Sequence, residues 1–356
     1  MPGPARPHTR TDASATGSVE AMTRLSEAAR PVRAPLPPAR GPVGEAVFGA
    51  LVGPVGTIPT VDVDDITPDD LHATLYGAYE LHYRGFDGVD DAWEWDPSLL
   101  DLRRRLEALF LDDLRRNVPG GSDATEALDA LTVASPEPGG LGRHLLRDGT
   151  WEQMRELFAH RSIYHLKEAD PHLWVVPRLT GQAKASMVAI EFDEFGGGRG
   201  ERMHSRLFAD LMAAAGLDTN YLAYLPAVPA ETLAIVNFMS LCGLHRSLRG
   251  ALVGHFAQVE TTSSPGSRTM VDALRAMDAP EPCVHFYAEH IEADAVHEQV
   301  VRHDVVGDLL DREPELAADV VFGIEATDLL EDRFAECLLG RWRAGKNSLA
   351  SAASPA

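Results

Sequence analysis

The octapeptide from His290 to His297, reading His-Ile-Glu-Ala-Asp-Ala-Val-His, constrains the fold more than any other stretch of the chain. On an α-helix of about 3.6 residues per turn, His290, Asp294 and His297 fall within about 60° of one another. Three metal-competent side chains therefore leave one helical face. Imidazole and carboxylate are ligands that Fe(II), Mn(II) and Zn(II) share, so the triple points to a transition metal before it points to a reaction. Alone, it would also suit a solvated acidic helix, so the weight falls on what the rest of the chain offers beside it.

Helical spacing dominates that remainder. Thr67 before Pro68-Asp69-Asp70 is an N-cap signal, and Leu71, Leu75, Ala78 and His82 continue it as one stripe. Trp93-Glu94-Trp95-Asp96-Pro97 predicts a loop, with an amphipathic helix from Leu99 to Leu114 after it. Helices are also expected over Trp151–Glu168 and Ala183–Phe195, from His204, over Glu231–Glu260 (one long helix or a kinked pair), around His290, and over Glu325–Trp342. Alternating β-branched runs are scarce. The expected fold is all-α: a helical bundle over residues 145–345, preceded by a smaller helical N-terminal domain over residues 44–140. Ser135-Pro136-Glu137-Pro138-Gly139-Gly140 reads as the linker between them. Residues 1–43, rich in Pro, Ala, Arg, Ser and Thr, and residues 346–356, small and polar, are expected to be disordered tails.

Composition removes several functional classes. A formal charge of −22 leaves no basic excess to neutralise phosphates, which excludes nucleic acid and anionic membrane surfaces as expected partners. Cys242, Cys283 and Cys337 are few, odd in number and far apart, which fits a reducing cytoplasm better than a disulfide framework. The most apolar stretch, Leu233–His255, carries His245, Arg246 and Arg249 and so does not read as a membrane span. Gly196-Gly197-Gly198-Arg199-Gly200 follows a helix rather than a strand and is no dinucleotide fingerprint.

Several of the expected helices carry an acid or imidazole on an otherwise apolar face. Glu194 follows Met187 and Ile190, His204 precedes Phe208 and Leu211, Glu260 follows Val253 and Phe256, and Glu168 follows Leu157 and Tyr164. An ionised carboxylate directed into a core is costly unless it is paired or coordinates a metal. Two carboxylates about 4 Å apart repel by roughly 4 kcal/mol at an effective dielectric of 20. Gathering Glu194, Glu260 and Asp294 therefore demands cations. Two divalent ions are neutralised by those three and Glu168, with the histidines uncharged.

The ordered set Glu194-x9-His204, Glu260 with Thr261-Thr262-Ser263-Ser264, and His290-x3-Asp294-x2-His297 resembles the heme-oxygenase-like diiron oxidases and oxygenases. Asp193-Glu194-Phe195-Gly196 and Met203-His204-Ser205 are similar to that family's text as well. The resemblance covers residues 145–345 and implies a heme-oxygenase-like bundle without heme. It also implies Glu194, His204, Glu260, His290, Asp294 and His297 as the ligands through which catalysis runs. Glu168 sits where the N-oxygenase branch has a further carboxylate ligand. Leu81-His82-Tyr83-Arg84-Gly85-Phe86 and Trp93–Pro97 resemble that branch's N-terminal extension, which implies a homodimer.

The expected function is a diiron N-oxygenase of natural-product biosynthesis. It would use two Fe(II), dioxygen as co-substrate and an external electron donor to oxidise a small-molecule amine, such as an amino acid, to a hydroxylamine or nitro compound. No flavin or nicotinamide site is read. Two other readings stand beside it: a diiron oxidase that abstracts hydrogen from carbon in an amino or fatty acid, and a metal-binding helical protein without turnover. A structural zinc site closes with four ligands, and this set would overfill it. Tyr287, one turn before His290, is a candidate for the substrate space. Glu191 and Asp193 are expected to be solvated or to support a ligand. His72 and His82 read as packed histidines. His245, His255, His285 and His303 are candidates for hydrogen bonds to ligands, and His160, His165 and His172 lie near Glu168 in the chain.

Overall fold

The computed structural model describes residues 33–132 and 140–350, with backbone alone over 292–296. Among the described residues there is no β-strand, only an isolated bridge between Ala34 and Phe86. Among the described residues, twelve α-helices of seven residues or more carry the architecture. Four come from the N-terminal segment: α1 (Pro42–Leu51), α2 (Pro68–Glu80), α3 (Pro97–Asn117) and α4 (Ala124–Thr132). The rest are α5 (Leu141–Arg147), α6 (Trp151–His165), α7 (Gly181–Glu194), α8 (His204–Ala214), α9 (Ala230–Leu244), α10 (Arg249–Ala276), α11 (Glu281–Val300) and α12 (Ala317–Arg343). The protein is all-α, as the spacing predicts. No helix among the described residues is long and apolar enough to cross a membrane.

Local chemistry sets the helix starts. The Thr67 hydroxyl accepts from Asp70 N at 3.3 Å with Pro68 in the first turn, and Asp96 accepts from Ser98 N and Leu99 N ahead of α3. Thr150 and Gln153 form a reciprocal capping box on α6. Asp70 also accepts from Val43 N and Gly44 N at 2.9 and 2.8 Å, placing a buried carboxylate on the donor end of α1. The Glu231–Glu260 stretch is the kinked pair: α9 stops at Leu244, and α10 runs on past Glu260 to Ala276.

Residues from Ala34 onward form one compact unit. Within it α2 packs on α9, α3 and α4 pack on α12, and α10 lies between α11 and α12. The α10–α12 crossing is a backbone contact. A β-carbon at Gly254 would strike the Val320 carbonyl, and one at Gly323 would strike the Ala251 carbonyl.

Both tail expectations are too long at their inner ends. Residues 1–32 and 351–356 lie outside the described residues, as does the expected linker apart from Gly140. Residues 33–43 do belong to the fold: Ala34 is buried and its carbonyl accepts from Asp87 N at 2.8 Å. Ser348 and Leu349 are buried as well. Extended segments anchored by backbone and single side chains carry no helical or strand period, which hides them from a periodicity reading.

Candidate metal centre

Four helices and one turn deliver the acidic and imidazole groups to one place. Glu194 is the last residue of α7 and His204 the first of α8. Between them the chain reverses through Gly196, Gly197 and Gly198, with φ of 70, 62 and 79°, a region that favours glycine. Gly196 has a second reason: a β-carbon there would come within 2.6 Å of the Arg202 backbone. The reversal brings Glu194 Oε2 to 2.7 Å from His204 Nδ1. Glu260 projects from α10, and His290 and His297 from α11. Glu168 is not on the helix predicted to contain it, because α6 ends at His165 and Glu168 lies in the turn beyond.

The groups converge in two sets. Ligand atoms of Glu168, Glu194, His204 and His290 all lie within 4.8 Å of one another, as do those of Glu194, Glu260 and His297. Glu194 belongs to both sets, and all six residues are buried. Of the seven expected ligands these are the six that the structure brings together. Asp294 lies on α11 between His290 and His297, and its side chain is outside the described residues.

Hydrogen bonds orient the imidazoles. His290 Nδ1 is 2.7 Å from the Phe286 carbonyl oxygen, which only accepts, so Nδ1 carries the proton and Nε2 keeps the lone pair. His297 Nε2 lies 3.4 Å from Asp193 Oδ2 and Nδ1 lies 3.2 Å from Glu260 Oε2. Asp193 thus holds the outer edge of that ring, the supporting role metal-ligating histidines recurrently have filled by a carboxylate. Burial acts to raise the Glu168 carboxyl, but the neighbouring His165 works against it, and the carboxyl stands below its usual range.

A buried donor set of carboxylates and neutral imidazoles is the chemistry of a divalent iron site. Left without a cation, this many acids in one core would repel. The residues present therefore fit iron. Beside them opens a cavity of about 370 Å³, lined by Phe256, Phe286 and Tyr287 and by the polar Gln258, Ser263 and Ser267. Arg161 and Glu331 also line it, joined by two bonds of 2.7 and 2.6 Å. Tyr287 thus faces the space expected of it.

Two features escape the sequence reading. His165 Nδ1 lies 2.9 Å from Glu168 Oε2. Glu191 is buried rather than solvated and faces His172 Nδ1 at 3.8 Å. Burial first, and then the charges of Glu194 and Glu260, push the Glu191 carboxyl well above its usual range, while burial pulls His172 down to about 4. The spacing of Glu191 to Glu194 puts both on one face of α7, a signal the sequence offers but does not distinguish from any exposed acidic pair. His255 donates or accepts at Thr327 rather than at a ligand, and His245 meets Glu107. His72 and His82 are packed histidines, bonded within the N-terminal helices and to Asn237.

Residues 155–332, which include all seven expected ligand positions, match the family of iron-containing redox enzymes. The chain is also similar to the nitrosourea synthase of Streptomyces achromogenes subsp. streptozoticus, at 24% identity over 161 residues. That likeness covers 45% of this chain and 34% of the relative, so the chain spans about a third of the curated relative's length.

Proposed function

The chain belongs to the iron-containing redox enzymes, and on that premise we propose that it is a non-heme diiron N-oxygenase acting on the amine of an amino acid or related small molecule. The observation that carries this reading is the pair of buried donor sets sharing Glu194 beside a cavity of substrate size. One ion would be held by Glu168, Glu194, His204 and His290, and the other by Glu194, Glu260 and His297, with Asp294 completing the set. The relative's name, nitrosourea synthase, describes a product with oxidised nitrogen, and that supports nitrogen rather than carbon as the atom oxidised.

Two ferrous ions held there would supply open coordination positions and electrons for the reduction of dioxygen. The chain's own residues do the rest. His290, held by the Phe286 carbonyl, and His297, held by Asp193, keep their orientation. The amine must offer a lone pair, so it reacts as the free base. His165, on the cavity wall and bonded to Glu168, gives the departing proton a place to go. Phe256, Phe286 and Tyr287 keep water from the reacting nitrogen. At the wall, Arg161 and Glu331 present both signs of charge, which matches the carboxylate and ammonium of an α-amino acid. Converting R–NH₂ to R–NHOH takes two electrons from nitrogen, and dioxygen going to one water needs two more. These come from an external donor.

The test is anaerobic loading with two equivalents of Fe(II), then ¹⁸O₂, with a panel of amino acids bearing side-chain amines or guanidines. The expected product carries ¹⁸O on nitrogen. A dehydrogenated product without label would instead establish C–H abstraction, and no product from a loaded enzyme with any of the panel would leave metal binding without turnover.

A further inference from the structure

Lys167 and Glu168 are consecutive, and they serve different partners. Glu168 joins Glu194, His204 and His290, whereas the Lys167 ammonium is 3.0 Å from Glu80 Oε2 at the end of α2. We propose that the N-terminal helical segment is a clamp that positions Glu168, with Glu80, Arg84 and Lys167 as its positioning residues. This inference rests on the reading of Glu168 as an iron ligand.

The turn that carries Glu168 needs an external anchor. Once α6 has ended, its backbone is tied to its own chain by turn bonds, Lys167 N to the Tyr164 carbonyl at 2.8 Å, Glu168 N to the His165 carbonyl at 3.4 Å and Asp170 N to the Lys167 carbonyl at 2.9 Å. Side chains from the N-terminal segment supply what the helix no longer does. Arg84 donates to the Leu166 carbonyl at 3.1 Å, one residue before Lys167. Glu80 accepts from Lys167 and also from the Tyr221 hydroxyl, at 2.9 and 3.0 Å. The Lys167 ammonium lies 4.2 and 4.7 Å from the ring centroids of Tyr83 and Tyr76, and Arg84 covers Tyr221 at 4.0 Å.

The Lys167–Glu80 pair is almost wholly buried, at 1% and 0% side-chain exposure. A buried ion pair gains little stability over apolar residues of the same volume, and its best-attested use is to fix one arrangement among several. Here the arrangement it fixes is the direction of the next side chain. With Lys167 held on the α2 side, the turn is fixed in the arrangement that leaves Glu168 to the other acids and imidazoles. A carboxylate on an unanchored turn would be pushed outward by Glu194; on this turn it is held against that repulsion.

The experiment is anaerobic titration of the full chain with Mn(II) and with Fe(II), reading ions bound per chain and the affinity of each. It compares wild type, Glu168→Ala and the double variant Glu80→Gln/Lys167→Met, which removes both charges at nearly constant volume; circular dichroism checks the fold. The double variant is expected to lose affinity for one of two ions by about 10–100-fold, the range typical of outer-shell support, as Glu168→Ala does. The ion bound through Glu260 and His297 should be retained. A folded double variant that binds both ions like wild type, while Glu168→Ala does not, overturns the clamp and leaves the iron reading intact. If Glu168→Ala itself binds both ions normally, Glu168 is no ligand and both ideas fall. Should the double variant not fold, Tyr221→Phe decides, because it removes only one hydroxyl from Glu80. A weakening of about 3–10-fold for the same ion is expected, and unchanged affinity overturns the proposal.

Discussion

Glu194 closes one helix and His204 opens the next, yet their ligand atoms meet at 2.7 Å because three glycines between them adopt left-handed backbone. Gly196 is the most demanding, since a side chain there meets the backbone of Arg202. Gly196→Ala is expected to destabilise the reversal by about 1–2 kcal/mol and to separate the two ligands. Metal affinity should fall by at least about tenfold, while circular dichroism stays close to wild type. Unchanged binding of both ions would mean that the loop does not set the ligand geometry.

Glu194 is shared between the two donor sets, and His297 belongs to one of them. Glu194→Ala should therefore weaken both ions, whereas His297→Ala should weaken one and leave about one ion per chain. Metal analysis after anaerobic loading and desalting reads this directly. Equal stoichiometry for the two variants would argue against a shared carboxylate.

Arg161 and Glu331 are on the cavity wall and belong to neither of the two donor sets. Arg161→Gln is expected to raise KM for an α-amino acid by about 10–100-fold with little change in kcat, the signature of lost binding rather than lost chemistry. The decarboxylated analogue of the same substrate should be insensitive to the substitution. A drop in kcat for both compounds alike would assign the pair a purely structural role between α6 and α12.

What could be read from the sequence followed from side-chain chemistry recurring at helical spacing. Glu194, His204, Glu260, His290 and His297 each sit on or at the end of a helix, and the cost of burying the acids among them points to a cation; that all five converge is what the resemblance to the diiron oxidases implies. Glu168 was legible as a residue but not as a turn, because nothing in Tyr164–Ala169 announces that α6 stops at His165. The burial of Glu191 was not legible, since its partner His172 comes from a different segment and an acid one turn from another acid is ordinary on a solvated face. The α10–α12 crossing was equally silent. Gly254 and Gly323 show their purpose only when the opposing carbonyls are in place.

His160 gives the protein a predictable acid limit. Its Nδ1 is 2.8 Å from Thr232 Oγ1 and its Nε2 is 3.0 Å from Ser348 Oγ, and burial, aided by Arg161 and Arg341, lowers it to about 3. Burial likewise lowers His72 to about 4. Both fold as neutral rings, while the unfolded chain protonates near 6.5. Their stabilisation is therefore complete above about pH 6.5 and is lost as pH falls from there through 4 and 3. Near pH 5 the two together should cost about 2–3 kcal/mol per pH unit. Urea unfolding from pH 7.5 to 4.5 measures the slope, and His160→Asn should flatten it by about one proton. A variant with the wild-type slope would show that His160 does not titrate on unfolding.

Ser348 gives its backbone N–H and its hydroxyl to Glu156 Oε2, at 2.7 and 2.5 Å, beside the indole N–H of Trp342 at 2.8 Å. Its hydroxyl proton is spent on the carboxylate, so it receives from His160 instead, and one serine terminates two internal polar chains. The segment around Ser348 therefore works as a plug. Replacing Ser348 by alanine would take one donor from Glu156 and one partner from His160, and the damage would arise inside α6 although the change lies in a segment with no helical period.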